Sequence, residues 1–550
     1  MADVDVLIAG AGPVGLTAAS ELCRRGVSCR VVDRLPERLP YARAVGVQPR
    51  TLEIWDRMGM VREALETAVP LKGQLLYVDG EEGPRVDLEL PPEVPYGFAA
   101  LPQYETERLL EDLLRSRGGH VERGTELLSF EQDSHEVRAL LSPPAGGTEE
   151  LTARYLLGCD GAHSVVRKGL GLSFEGAALP QEYMLGDVEV DWDLPAGYGI
   201  RASRSVDGHP DDILVCIPLP GDRRYRMSMA TPPELSRTAG QDGDGVAHGL
   251  SGEHGPVPGI EHIQEVLDRL SPRPTTASSL RWSSVFRISH RIVDRYGRGR
   301  VFVAGDAAHI HPPTGAQGMN TGVQDAFNLV WKLAAAVRGR AGTRLLESYD
   351  AERRPVGEEV VARTLRHVRS GIRADPDDPA TTMLREAQLL VGYRGSPIVE
   401  PDGSAPDGPA PDGPAPGDRA PDCGGLAYAL ASFPVRLFTL LREREHTLLL
   451  YAGHGDPVRA FGAVAASAER AAPGLLNACA VLAPGLEAPA SGLPVVHDTR
   501  DEFRRTYGAR DGEAFLVRPD GHLGLRTVPA DGPALPAHLA RLLGVRPAVG

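Results

Sequence analysis

Residues 4–33 read VDVLIAGAGPVGLTAASELCRRGVSCRVVD, and the order of elements in this stretch decides the fold class. Val4 to Ala9 is a short apolar run that reads as a buried strand. Gly10-Ala11-Gly12-Pro13-Val14-Gly15 follows at once. Leu16, Ala19 and Leu22 then recur at helical spacing until Gly26, which reads as a C-terminal cap. Val27 to Val32 is a second strand. It ends at Asp33, 18 residues beyond Gly15, with Arg34 next. Strand, glycine turn, helix, strand and acid in this order form the βαβ dinucleotide-binding pattern. Gly10 takes the tight turn, Gly12 lets the backbone close on a pyrophosphate, and Gly15 lets the helix pack on the strand. The helix N-terminus offers N–H groups and the positive end of its dipole to the phosphates. Asp33 is placed to accept hydrogen bonds from a ribose. On this motif alone, a glycine-rich turn with no ligand stays open. The chain holds one such fingerprint, which favours a resident FAD over a separate nicotinamide domain.

The rest of the composition excludes several function classes. The 550 residues are 42% hydrophobic and 24% charged, enough for sizeable cores and too few charges for a polyelectrolyte. With 59 Lys+Arg against 74 Asp+Glu the net charge is −15. That balance argues against a nucleic-acid partner and against docking on anionic membranes. The acidic start MADVDVLIAG is unlike a signal peptide, and no run reaches the length of a membrane span. The six cysteines include no Cys-x-x-Cys, so a reducing cytoplasm is the expected location.

Further along, a helix is expected over Tyr104 to Arg115, paired strands over 121–142, and a buried strand at Tyr155 to Cys159 that ends in Asp160-Gly161. Residues 180–235 alternate as a sheet does, and the Gly-rich stretch 236–259 reads as a mobile loop. Val301 to Ala304 is a strand running into Gly305-Asp306. Thr321 to Arg338 is the clearest helix, with Val323, Phe327, Val330, Leu333 and Val337 as its stripe and a capping box over Thr321 to Gln324. Residues 401–422, in which APDGP occurs at 405–409 and again at 410–414, read as an extended linker that packs no core. A separate small α/β domain follows.

Three motifs occur in order: the glycine fingerprint, Cys159-Asp160-Gly161-Ala162-His163-Ser164, and Arg300 to His309 with Gly305-Asp306 inside it. Together they resemble the signature motifs of the class A flavoprotein aromatic monooxygenases, the para-hydroxybenzoate hydroxylase-like family. The resemblance runs from residue 3 to about residue 370. It implies an α/β fold in which a Rossmann-like FAD-binding domain (1–175 and 281–400) is interleaved with a substrate-binding β-sheet domain (176–280). By the same resemblance Asp306 serves the FAD ribityl and pyrophosphate side, and Asp160 serves both FAD and NAD(P)H. Arg43 is the flavin-proximal arginine, Gln103 is a FAD contact, and Leu127 lines the adenine. Pro313, Gly318, Met319 and Asn320, in PPTGAQGMN, form the loop that cradles the isoalloxazine, with Arg43 and Pro313 as the catalytic candidates. Independently of the family, the loop sits at a helix start, where free N–H groups and the dipole favour the negative charge of reduced flavin. His309-x-His311 has a spacing seen in metal sites, but no convergent ligand set supports a metal.

Residues 416–422 (PGDRAPD) and 516–522 (LVRPDGH) look like the phenol hydroxylase branch, which includes enzymes that tailor aromatic polyketides. In that branch the last domain, here 423–550, is thioredoxin-like. Lacking a Cys-x-x-Cys, it is left a structural or oligomerising role, a homodimer included. The activity implied is hydroxylation of a phenolic or polycyclic, polyketide-type aromatic through a flavin 4a-hydroperoxide. NADPH or NADH is the reductant and O2 the co-substrate. Baeyer–Villiger oxygen insertion on the same scaffold stays open, as do a flavin dehydrogenase or halogenase and a non-catalytic flavin-binding protein.

Overall fold

A computed structural model describes residues 2–40, 44–206, 209–236, 257–370, 377–399, 412–455, 457–487 and 492–544. In the first sheet, β1 (Val4–Ala9) pairs in parallel with β2 (Cys29–Asp33) on one side and with Glu149–Gly158 on the other. Val301–Val303 and Val121–Arg123 extend it in parallel, and Glu126–Gln132 and Val137–Ser142 form an antiparallel arm. Helix α1 (Pro13–Arg24) makes the crossover and is buried along Leu16, Ala19 and Leu22. Gly26 follows with φ +66°, a left-handed position open to glycine. Because β1 lies between parallel neighbours, Val6 to Ala9 are all buried, as an uninterrupted apolar run demands.

Two more helices frame this unit. Helix α2 (Pro49–Met58) lies between the first sheet and the C-terminal part, and α3 (Gln103–Ser116) packs beside α1. A second, mostly antiparallel sheet contains Phe174–Val190, Ala277–Val293, Arg224–Ala230, His209–Pro218 and Tyr198–Val206. Gly73–Val78 adds to it in parallel, so this sheet also draws on residues well before position 176. Helix α4 (Ile260–Leu270) covers one face, with Ile263, Val266 and Leu267 against Met184, Leu214, Met227 and Met229. The two units join where Ala277–Val293 pairs with His309–Ile310.

Helix α5 (Gly318–Val337) is buried on all sides and packs against α1 and against α6 (Glu347–Ser370). It begins one turn before the sequence expectation, and the capping box over Thr321 to Gln324 does not form. The Thr321 hydroxyl instead donates back to the Gln317 carbonyl, and the Gln324 amide donates to Gln388 and Asn320.

The C-terminal unit has its own sheet. His446–Ala452, Leu476–Leu482 and Val495–Asp498 run parallel, and Glu513–Val517 with Leu523–Thr527 forms an antiparallel hairpin beside them. Trp331 and Ala335 of α5 share a core with Leu448, Leu450 and Leu535 of this unit. The second half of the expected linker is not extended. Ala415, Ala420 and Asp422 are buried. A Cβ on Gly417 would lie 2.6 Å from the Arg394 nitrogen, and one on Gly413 would lie 2.4 Å from the Tyr507 carbonyl. Tyr393, Arg394 and Tyr507 supply the packing surface that the repeat itself lacks. Residues 401–411 lie outside the described residues, as do 237–256 of the expected loop.

Candidate cofactor and active site

The glycine turn divides into packing glycines and an open one. A Cβ on Gly10 would sit 2.3 Å from the Cys159 carbonyl oxygen, and one on Gly15 would sit 2.0 Å from the Gly10 oxygen. One on Gly12 meets no protein atom within 4 Å. Protein packing therefore requires glycine at 10 and 15 but not at 12, which is what a diphosphate resting on the Gly12 backbone at the start of α1 would need. Pro13 opens the helix, where its missing N–H is no loss. The Asp33 carboxylate accepts from Ala11 N at 2.7 Å and from Leu35 N at 2.9 Å. It shapes the turn, and its remaining lone pairs are available to a ribose. Arg34 is exposed beside it.

The second motif backs the first. Asp160 accepts from the Ser164 hydroxyl (2.6 Å), Val165 N (2.7 Å) and Val166 N (3.2 Å). Burial pushes its carboxyl up in spite of these bonds. Its oxygens thus cap the short helix Val165–Gly169, directly behind Gly10.

The third motif meets the other two. Gly305-Asp306 forms a single 3-10 turn, with Gly305 at φ +61°. A Cβ on Gly305 or on Gly322 would lie 2.9 or 2.7 Å from the Val14 side chain. The first turns of α1 and α5 and the Gly305-Asp306 turn are therefore in direct contact around Val14.

Ahead of α5, Pro313 is exposed and opens the loop, and Gly315 and Ala316 take left-handed φ of +72° and +54°. Gly318 and Met319 are half-buried in the first turn. A Cβ on Gly318 would touch the His311 ring at 3.5 Å. The Asn320 side chain is turned into the protein. Its oxygen accepts from Gln48 N (2.9 Å) and the Thr51 hydroxyl (2.7 Å). Its amide donates to Gly46 O (2.9 Å) and Ala316 O (2.7 Å). All four bonding positions of the side chain are used, so Asn320 locks the loop to α2 and to residues 46–48 and has only its backbone to offer a cofactor.

Gln103 donates to Glu107, and its oxygen accepts from Ala44 N at 3.2 Å. It thereby anchors the segment that follows Arg43, which lies outside the described residues. Leu127 is buried in the first sheet, on the strand that begins just past the Asp33–Thr125 backbone bond. Arg123, 3.7 Å from Asp33 and 3.2 Å from Glu111, and Arg38, 3.6 Å from Glu111, add positive charge beside Asp33. Isolated arginines on separate elements carry no spacing signal, and the sequence reading missed both.

It also missed the polar support beneath the loop. Asp325, fully buried in α5, accepts from Gly305 N (3.1 Å), His309 Nε2 (2.8 Å) and Arg353 Nε (2.7 Å). Burial would raise this carboxyl, but Arg353 and His309 outweigh it and hold Asp325 below the ordinary carboxylate range. Arg353 also donates to Thr321 O and the Tyr393 hydroxyl. His309 stacks between Tyr296 and His311 and is tied to an aspartate. Farther along α5, Asn328 and Trp331 donate to Asp520, and Lys332 donates to Glu352, which also accepts both Arg518 nitrogens. Thr321, Asp325, Asn328 and Lys332 recur at helical spacing through this buried helix. That buried polar stripe was the signal available in the sequence.

The chain matches the family model "FAD binding domain" over residues 3–364. It is 36% identical to a flavin-dependent monooxygenase of Mycobacteroides abscessus, over 81% of this chain and 88% of that protein. It is 30% identical to pentachlorophenol 4-monooxygenase of Sphingobium chlorophenolicum, over 96% of this chain and 94% of that protein. Among solved structures, a ternary complex of aklavinone-11 hydroxylase with FAD and aklavinone superposes with a TM-score of 0.76 at 28% identity, covering 99% of both chains. Among the described residues no helix is long and apolar enough to cross a membrane.

Proposed function

The chain belongs to the FAD-binding-domain family of flavin-dependent aromatic monooxygenases, and on that premise we propose that it hydroxylates a phenolic or polycyclic, polyketide-type aromatic at the expense of NAD(P)H and O2, in natural-product biosynthesis. One oxygen atom enters the ring and the other leaves as water. When bound, FAD supplies the passage of electrons from NAD(P)H to dioxygen and the transfer of oxygen to the substrate.

The observation that carries this reading is the contact of two helix N-termini around Val14, with the Gly12 face left clear. The first turn of α1 and Gly12 would hold the diphosphate, and Asp33, with Arg38 and Arg123 nearby, would hold the adenosine side. The first turn of α5, Gly318 to Asn320, would favour negative charge on the flavin. Gly305-Asp306 lies between them, and Asp325 fixes its position from below. By the family resemblance Arg43 and Pro313 are the catalytic candidates. The C-terminal unit is a thioredoxin-like domain without redox cysteines.

The substrate lies on the face of the second sheet turned away from α4. Met184, Met227 and Val285 point at α4, so their strand neighbours Tyr183, Ser228 and Phe286 point the other way. There the Tyr183 and Phe286 rings stand 5.8 Å apart. Asp187 and Arg226 form a buried ion pair on the same face, with the guanidinium 5.2 Å from the Trp282 ring. Apolar rings with one fixed polar pair suit a flat aromatic that bears hydroxyl groups.

The test is anaerobic mixing of the FAD-loaded protein with NADPH, with and without a panel of polycyclic phenols, followed by product analysis in air. Bleaching that one phenol accelerates at least about tenfold, with one oxygen added to an intact carbon skeleton, is the expected result. Flavin that stays oxidised with every compound, or turnover that gives only hydrogen peroxide, overturns the proposal.

A further inference from the structure

Cys23, in the last turn of α1, and Cys29, the first residue of β2, bring their sulfurs to 3.5 Å. No Cys-x-x-Cys spacing announces this. The pair is made by the helix-to-strand return, which lays residue 29 beside residue 23. Both side chains are half-buried and within reach of a small oxidant, whereas Cys216, Cys423 and Cys479 are buried.

The chemistry of the two sulfurs is unequal. A hydrogen bond from Cys29 lowers the Cys23 thiol to about 7 against its partial burial, with Arg117 adding to the effect. The same contact pushes Cys29 up. Arg117 is held near the helix end by Ser20 O and Glu21. Burial raises the thiols of Cys159, Cys216, Cys423 and Cys479. The nucleophile for peroxide is the thiolate, so Cys23 reacts first and Cys29 resolves.

We propose that Cys23 and Cys29 are a peroxide-reactive thiol pair that closes reversibly to a disulfide at the base of the dinucleotide unit. The Cys23 thiolate attacks one oxygen of hydrogen peroxide, the O–O bond breaks, and the released hydroxide takes a proton to give water and Cys23 sulfenic acid. The Cys29 sulfur then attacks Cys23, the S–S bond forms, and the displaced hydroxide leaves with the Cys29 proton as a second water. Two thiols are oxidised by one peroxide. The bond ties the C-terminal end of α1 to β2. It sits 11 residues from Gly12, about 16 Å along the helix, so FAD stays bound. Added peroxide oxidises the pair whether or not the reaction proposed above is correct.

The test uses the FAD-loaded full chain, treated with graded hydrogen peroxide, alkylated under denaturing conditions and digested with trypsin. Arg24 and Arg25 separate the two cysteines, so peptides 1–24 and 26–30 stay joined only through a disulfide. The expected result is that linked pair, abolished by dithiothreitol, forming at least about tenfold faster than modification of any of the other four thiols. Flavin absorbance is unchanged. In Cys29→Ser, Cys23 stops at a sulfenic acid trapped by dimedone, and Cys23→Ser forms neither product. Two outcomes overturn the proposal: Cys23 and Cys29 still alkylated while other cysteines are oxidised, or Cys23 carried to sulfinic acid with Cys29 unreacted. Wild-type peptide mapping decides the matter even if a variant folds poorly.

Discussion

Replacing Gly12 with alanine separates packing from ligand contact within a single turn. Gly12 has φ −76°, an ordinary value for any L-residue, and a methyl group there meets no protein atom within 4 Å. Losing glycine at an N-cap costs up to about 1 kcal/mol, and stiffening the unfolded chain returns about 0.4–1 kcal/mol. The apoprotein is therefore expected to melt within about 3 °C of the parent. A diphosphate pushed off the backbone loses at least one hydrogen bond to a charged group, worth about 1.5–3 kcal/mol. That corresponds to FAD binding weaker by about ten- to 150-fold. The assay pairs apoprotein melting with titration of FAD fluorescence quenching. Gly15→Ala is the contrasting control, because its methyl would lie 2.0 Å from the Gly10 oxygen, and it loses stability as well as FAD. A Gly12→Ala apoprotein that melts more than about 5 °C lower, or one that binds FAD within about twofold of the parent, refutes the division of roles.

Three further outcomes follow from the buried charges. Asp325→Ala leaves Arg353 buried without its carboxylate and is expected to cost about 3–5 kcal/mol in urea unfolding, with Asp325→Asn milder; equal midpoints for Ala and wild type would remove Asp325 from its supporting role. His446, His522 and His538, all in the C-terminal unit, are held by burial at about 4, so the unfolded chain takes up their protons first. Their contribution is intact above about pH 6.5 and is lost as pH falls toward 4, at up to about 1.4 kcal/mol per pH unit for each histidine. Glu21 and Glu352, both pulled down to about 2 by arginines despite burial, lose theirs later, below about pH 4.5. A melting temperature that stays flat between pH 7.5 and 5 would contradict this order. Arg518→Met leaves Glu352 with Lys332 as its remaining paired cation and takes the guanidinium from Asp520, and is expected to loosen the C-terminal unit by about 3 kcal/mol or more; limited proteolysis with no faster release of that unit would count against it.

The βαβ unit was legible because its information is local. An apolar run, three glycines and a helical stripe lie in one short stretch, and each constrains only its neighbours. The start of α5 was misread by a turn because Gly318, Met319 and Asn320 have little reason of their own to be helical. Their geometry is imposed by Gln48, Thr51 and Gly46, far away in the chain. Residues 412–422 of the expected linker were misread for the same reason, since the surfaces that bury Ala415 and Ala420 belong to other elements. Asn320 was expected in the loop ahead of α5, but nothing in its position told that the protein itself would use all the hydrogen-bonding capacity of its side chain. Cys23 and Cys29 met through a turn whose closure no motif encodes.

The bond between Asn328 and Asp520 spans 192 positions of the chain. At about 5–20 residues per second, a ribosome that has made α5 needs roughly ten to forty seconds more before Asp520 exists. Throughout that interval Asn328, Lys332 and Glu352 have one another but lack Asp520 and Arg518, and the Trp331 indole lacks Asp520. The later turns of α5 can therefore gain their last buried partners only near the end of translation, and a premature stop late in the message leaves that polar cluster without Asp520 and Arg518.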